Sequence, residues 1–268
     1  MRFLFKGYTL LIILVILSIL SLFIGVSQLS ITDLFHLSDN QKNILFSSRI
    51  PRTISILLSG SSLALAGLVM QQMMQNKFVS PTTAGTMEWA KLGILLSLLF
   101  FPNGPILIKL LFAVVLSIVG TFLFVQLINL IRVKDVIFVP LLGIMIGGIL
   151  SSFTTFVALR TNALQSIGNW LTGNFAVITS GRFEVLYLTI PLLILAFVFA
   201  NHFTIAGMGK DFSHNLGVSY EKIIKIALFI TATLTALVVV TVGTLPFLGL
   251  IVPNIISIYR GDHLKNAL

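Results

Sequence analysis

The sequence predicts an all-α, polytopic helical membrane protein, and three observations carry that prediction. Hydrophobic residues make up 57% of the 268 and charged residues only 9%, with a mean hydropathy of +1.06; a soluble domain carries about a quarter charged residues. The apolar residues gather in repeated runs of roughly 20, the length a helix needs to cross a hydrocarbon core of about 30 Å. Within those runs apolar and polar residues do not alternate, as the short strands of an outer-membrane barrel would require. Cysteine is absent, which excludes disulfides, thiolate metal sites and cysteine nucleophiles.

Eight spans are expected, near 8–26, 53–74, 86–101, 106–131, 136–159, 185–205, 223–243 and 245–259. The first follows MRFLFK, a basic flank like that of a signal peptide. Its apolar run is too long for an h-region and no small-residue cleavage site follows, so it reads as a retained anchor. The second opens just after SSRIPRT (Ser47 to Thr53) and carries Gly60, Ala64 and Gly67 at helical spacing, where small residues let helix backbones approach closely. The polar stretch NKFVSPTTAGT (Asn76 to Thr86) reads as a connecting turn. The third span begins with Glu88 and Lys91, three apart and able to pair on one helix face, with Trp89 between them as a candidate interfacial anchor.

The fourth span is apolar, and the fifth keeps Gly143, Gly147, Ser151 and Thr155 on a strict four-residue step, with further hydroxyls at Ser152 and Thr154. That face suits tight packing, and its hydroxyls also suit a transport pathway. The sixth span is followed by AGMGKDFSHNLGVSYEK (Ala206 to Lys222). There the pattern predicts a short helix with Asp211 as candidate N-cap, a stop at Gly217 and a new helix near Ser219. Such a helix–Gly–helix serves equally as a connector or as a lever moved by a soluble subunit. The last span is short and is interrupted by Pro246 and Pro253.

The net charge of +9 lies in the short gaps between spans, so topology explains it better than nucleic acid does. With the N-terminus inside, the inner gaps hold eleven Lys and Arg residues and the outer gaps six, in the sense of the positive-inside rule. On that topology Asn76–Thr86 is cytoplasmic, and Arg49 and Arg52 face outward. Their planar forks, on either side of a proline, suit carboxylates of a partner or lipid headgroups. Catalytic chemistry is missing. GMGKD ends like a P-loop, but Thr204 stands where its first glycine belongs and no Ser or Thr follows Lys210. His36, His202, His214 and His263 share no metal-ligand spacing. No nucleophile elbow or pair of catalytic carboxylates appears.

Several landmarks, in order, resemble the permease subunits of ABC importers for iron–siderophore complexes, haem and cobalamin, the FecCD type. They are RIPR (Arg49 to Arg52), LALAGLVMQQMMQN (Leu63 to Asn76) with SPTTAG after it, the glycine-rich fifth span, NWLTGNF (Asn169 to Phe175), LGV (Leu216 to Val218) and GTLPFLGLIVPNIISIYRGDH (Gly243 to His263). The resemblance implies the type II permease fold in the bacterial cytoplasmic membrane. It implies a second permease beside the chain, two ATPase subunits below and a siderophore-binding protein above. ATP and Mg would sit on the ATPases, and this chain would bind no cofactor of its own. By the same resemblance, Arg49 and Arg52 would dock the binding protein. Asp211, Ser213, Leu216, Gly217 and Tyr220 would couple to the ATPases, and Gly143, Gly147, Ser151 and Thr155 would line the pathway.

The chain departs from the commonest family pattern at NKFVSP, where N-P-L-A is usual, and at Pro253-Asn254-Ile255, where P-H-I is usual. The form FVSPTTAGT resembles a branch importing catecholate-type siderophores such as petrobactin, whose members pair with a second, different permease. The family has ten spans, and this sequence reaches DHLKNAL just after the eighth; a single permease domain over 1–268, shortened at its C-terminal side by two spans, is therefore expected. The competing classes are an ion-coupled secondary transporter, which lacks midplane carboxylates here, a cobalamin or haem permease of the same family, a membrane scaffold, and an intramembrane enzyme.

Overall fold

In this computed structural model, residues 7–25, 38–131 and 135–260 are described. Arg2, Lys6, His36, Arg132, Lys134, His263, Lys265 and the DHLKNAL end lie outside them. The described residues are helical, with no strand among them. The order is α1 (Gly7–Phe23), α2 (Asp39–Ile44), a π-helical turn (Leu45–Arg49), α3 (Ile50–Met73), α4 (Thr86–Phe100), α5 (Ile106–Ile131) and α6 (Phe138–Arg160). Then come α7 (Leu164–Leu171), two 3₁₀ segments (Phe175–Val177 and Phe183–Leu188), α8 (Thr189–Val198), α9 (Ala200–Ala206), α10 (Lys210–Asn215), α11 (Tyr220–Thr241) and α12 (Leu248–Arg260).

Among the described residues, four helical runs are long and apolar enough to cross a membrane: 39–73, 106–131, 138–160 and 220–241. The expected sixth span is instead a bent pair, 183–198 and 200–206, turned by 58° at Phe199. The expected first, third and eighth spans are shorter helices of 17, 15 and 13 residues. The third is completed by buried non-helical chain before it, which is tolerable in a membrane protein where other segments cover it.

Helices α3, α4 and α11 form the centre. Leu63, Val69, Ile94, Leu95, Leu234 and Leu237 are fully enclosed there, and α5, α8, α9 and α12 pack around them. The backbones of α3 and α12 touch: a Cβ at Gly67 would overlap the carbonyl oxygen of Gly249. At Gly60 nothing lies within 4 Å, so the small-residue stripe expected on the second span is a contact only at its C-terminal end. Helix α1 has no buried residue and touches only the α2–α3 run strongly, as suits a helix apolar on all sides that faces lipid.

Candidate functional site

Arg49 and Arg52 lie inside one continuous helical run, not in a gap before it. Pro51 lacks the N–H that would bond the Ser47 carbonyl, and the preceding turn widens so that Ile50 N–H reaches Leu45 O. The freed carbonyls are taken by the loop after α7: Ser180 N–H donates to Ser47 O (3.1 Å) and Ser180 Oγ to Phe46 O (3.1 Å). Both arginines turn toward the C-terminus of α1. Arg49, only 4% exposed, donates from Nη1 to Leu22 O (2.6 Å) and Phe23 O (3.0 Å). Arg52, half-buried, donates from Nη2 to Ser21 O (2.9 Å) and Ile24 O (3.1 Å). Two cations at a helix C-terminus satisfy its orphan carbonyls and complement its dipole. The pair is thus a clamp on α1, and Arg49 presents little surface to any partner.

NWLTGNF docks on the end of α11. Trp170 Nε1 donates to Val240 O (2.8 Å), Thr244 Oγ1 to Leu171 O (2.8 Å), and Gly173 N–H to Thr244 O (2.9 Å). Two of the sequence landmarks therefore form one structural unit at the same end of the bundle as Ser180 and the π turn.

The stretch Asn76–Thr86, expected as a plain polar turn, is a buried hub. Asn76, Val79, Ser80, Thr83 and Ala84 are all buried. Their polar groups bond one another: Ser80 N–H to Thr83 Oγ1 (2.8 Å), Thr83 Oγ1 to Phe78 O (3.0 Å), and Phe78 N–H to Asn76 Oδ1 (2.9 Å). Asn76 Nδ2 reaches Val136 O (2.8 Å), Asn254 Nδ2 reaches Lys77 O (2.9 Å), and Lys77 Nζ reaches Ser257 Oγ (2.9 Å). The two stretches that depart from the commonest family pattern thus meet each other. Gly85, at φ +75, starts α4.

Helix α6 lies against this hub. Gly143 is buried so close that a Cβ would run into Thr83 O, and a Cβ at Gly147 would lie 3.5 Å from Gly85 Cα and Glu88 Cγ. These two glycines are a packing contact, while Ser151 and Thr155 are half-buried further along. Glu88 and Lys91 pair at 2.8 Å, with side chains 22% and 8% exposed. The pair is therefore enclosed and not at an interface. Trp89 lies over Gly120 of α5, where a Cβ would overlap its ring, so it packs against α5.

The Ala206–Lys222 stretch folds as expected in outline. Helix α10 ends at Gly217 (φ +71), where Gly217 N–H bonds His214 O and Val218 N–H bonds Ser213 O; α11 begins after Ser219. Its N-cap is Gly209 and not Asp211, which stands exposed in the first turn. Ser213 is fully buried and bonds Gly209 O (2.8 Å) and Ile205 O (3.2 Å), so it anchors α10 to α9 and cannot touch a partner. Tyr220 is half-buried in the wall of a cavity of about 740 Å³. Phe212 and Leu216, four apart along α10 and its C-cap, are exposed apolar side chains, Leu216 being 54% exposed, and Met208 before the helix is exposed as well. The pair was not singled out in the sequence, although its spacing is visible there. Among the described residues no three His, Asp or Glu side chains converge to hold a metal.

The arginine clamp and α10 lie at opposite ends of α3, whose 24 residues span about 36 Å. Comparison with known proteins gives this arrangement a context. The model of the FecCD transport family matches residues 12–268. The petrobactin import system permease YclN of Bacillus subtilis (strain 168) is 53% identical over 257 residues, covering 96% of this chain and 81% of that protein. The petrobactin import system permease FatD of Bacillus anthracis is 39% identical over 257 residues, covering 96% and 75%. A solved structure of a metal-chelate type ABC transporter in an inward-facing conformation superposes with a TM-score of 0.75 at 24% identity, covering 97% of this chain and 83% of that one, and shows the fold. The chain belongs to the FecCD transport family.

Proposed function

We propose that this chain is the permease subunit of an ATP-driven importer that moves a ferric siderophore of the petrobactin class inward across the cytoplasmic membrane. The observation that carries the substrate class is the 53% identity, along 96% of the chain, to a petrobactin import permease. The N-terminus is read as cytoplasmic, and the chain as one half of a heterodimer with a homologous permease. The ATPase subunits bear on α10. The exposed Phe212 and Leu216 supply the apolar contact, with Asp211 beside them and Gly217 setting the turn. At the opposite end the binding protein meets the corner of α1 and α3, where Arg52 is the half-exposed member of the pair and Arg49 holds the corner together. The α6 face at Ser151 and Thr155 borders the pathway, with Gly143 and Gly147 seating that helix on the hub.

The test is uptake of radiolabelled ferric petrobactin into cells that lack their own petrobactin permease and express this chain with its second permease, ATPase and binding protein. ATP-dependent accumulation is expected. Accumulation of a ferric hydroxamate with none of petrobactin would overturn the substrate class. For the coupling surface, Leu216→Asp is expected to release the ATPase from the purified complex; an ATPase that stays bound sinks that assignment.

A further inference from the structure

Gln75 stands at a position where the backbone asks for glycine. It is the first residue past the cap of α3, at φ +48. Gln75 N–H bonds Gln72 O (3.2 Å) and Asn76 N–H bonds Gln71 O (3.0 Å), the pair of bonds that closes a helix through a left-handed residue. The same pair of bonds ends α10, and there the left-handed residue is Gly217. A glutamine in that conformation costs about 1 kcal/mol that glycine would not. What the glutamine adds is its side chain, and Nε2 donates to Gly207 O (2.9 Å).

Gly207 closes α9, two residues before the glycine that opens α10. The approach is close: a Cβ at Gly207 would press on Gln72 Oε1, and one at Gly209 would lie 3.5 Å from Gln75 Nε2. The next residue, Asn76, holds the other direction through Val136 O, two residues before α6. Two adjacent side chains therefore join the α9–α10 corner to the start of α6 and to the buried hub. Gln75 and Asn76 also form the shared wall between two cavities, of about 740 and 420 Å³.

We propose that Gln75 is a positioning residue that transmits movement of α10 to α6 through the Gly207–Gln75–Asn76–Val136 linkage. The linkage rests on the reading of α10 as the ATPase contact. It requires the side-chain bond and not the shape of the turn, so the variant that best suits the backbone should be the one that fails. Gln75→Gly in the assembled importer is expected to keep the complex intact, its melting temperature unlowered and its basal ATP hydrolysis unchanged. Stimulation by loaded binding protein, and uptake, are expected to fall at least about fivefold, the lower end of ordinary coupling between sites. Gln75→Asn, which tolerates the left-handed backbone but is too short to reach Gly207, should behave the same way.

Full stimulation in an intact Gln75→Gly complex would overturn the proposal, as would a marked fall in melting temperature, which would make the bond to Gly207 a static tie and nothing more. Leu216→Asp, run in parallel, separates the two readings. If the ATPase detaches there while Gln75→Gly stays fully stimulated, the linkage alone is wrong. If the ATPase does not detach, the α10 assignment is wrong and the linkage falls with it.

Discussion

Replacing Arg49 by alanine should release the end of α1 while leaving the rest of the bundle folded. The side chain is 4% exposed and donates two bonds, at 2.6 and 3.0 Å, to the last carbonyls of α1. Hydrogen bonds to a charged donor contribute about 1.5–3 kcal/mol each where the acceptor is otherwise unmet. Water can reach a frayed helix end, so the lower figure applies, and two bonds give about 3 kcal/mol. That corresponds to a shift of roughly a hundredfold in the equilibrium between seated and released α1. Arg49→Lys keeps the charge but not the fork and should lie between the two. A cysteine at Leu22, half-buried in the native chain, reports the seat through its labelling rate by a membrane-impermeant thiol reagent. The reasoning fails if Arg49→Ala leaves that rate unchanged while weakening the affinity of the binding protein. The arginine would then be a docking group and not a clamp. A double reversal of Arg49 and Arg52 to glutamate cannot make this distinction, because it destroys the clamp and the charge together.

Three further outcomes are expected. Gly67→Ala should lower the melting temperature of the detergent-solubilised protein, with a cost of about 1–3 kcal/mol from overpacking against Gly249. Gly60→Ala, with open space around it, should be neutral or stabilise by up to about 1 kcal/mol; equal effects at the two sites would refute the close α3–α12 contact. Lys91→Met leaves an enclosed carboxylate at Glu88 and should cost about 3–5 kcal/mol, most of it regained in the Glu88→Gln/Lys91→Met double variant. An additive double variant in a melting assay would show that the pair is solvated. Trp170→Phe removes the bond to Val240 O and should cost about 1 kcal/mol, and an unchanged melting temperature would place the indole outside the α11 contact.

The landmarks of the family were legible because they are local strings, and the end of α10 was legible because a glycine in a polar gap stops a helix by its own conformation. The apolar segments were legible in place but not in form: of the eight expected spans, four are helices long and apolar enough to cross a membrane among the described residues. The bend at Phe199 involves neither proline nor glycine, so composition carries no sign of it. The fate of Asn76–Thr86 was hidden for a different reason. Ser, Thr and Asn look alike on a surface and in an enclosed turn whose groups satisfy one another, and only Val136 and Asn254, far along the chain, decide which it is. Arg49 and Arg52, expected just outside the second span, lie instead within a helical run that begins at Asp39 and continues through Pro51. Ser180 and a widened turn absorb the proline. One part of that was within reach: Pro51 leaves the carbonyl of Ser47 without its usual donor, which alone predicts that something must come to cover it.

The hub between α3 and α4 also sets a schedule for assembly in the membrane. Its bonds join residues 60 positions apart at Asn76 and Val136, and 177 apart at Asn254 and Lys77. At about 5–20 residues per second of synthesis, the Lys77 carbonyl is made roughly 10–35 s before its asparagine partner exists. During that interval the Lys77 carbonyl, whose contact with Asn254 lies at an exposed position, is met by water or lipid headgroups instead. The contact between the hub and α12 is therefore the last of these bonds to close. A defect near Asn254 should register as misassembly around Lys77, at the other end of the reading frame.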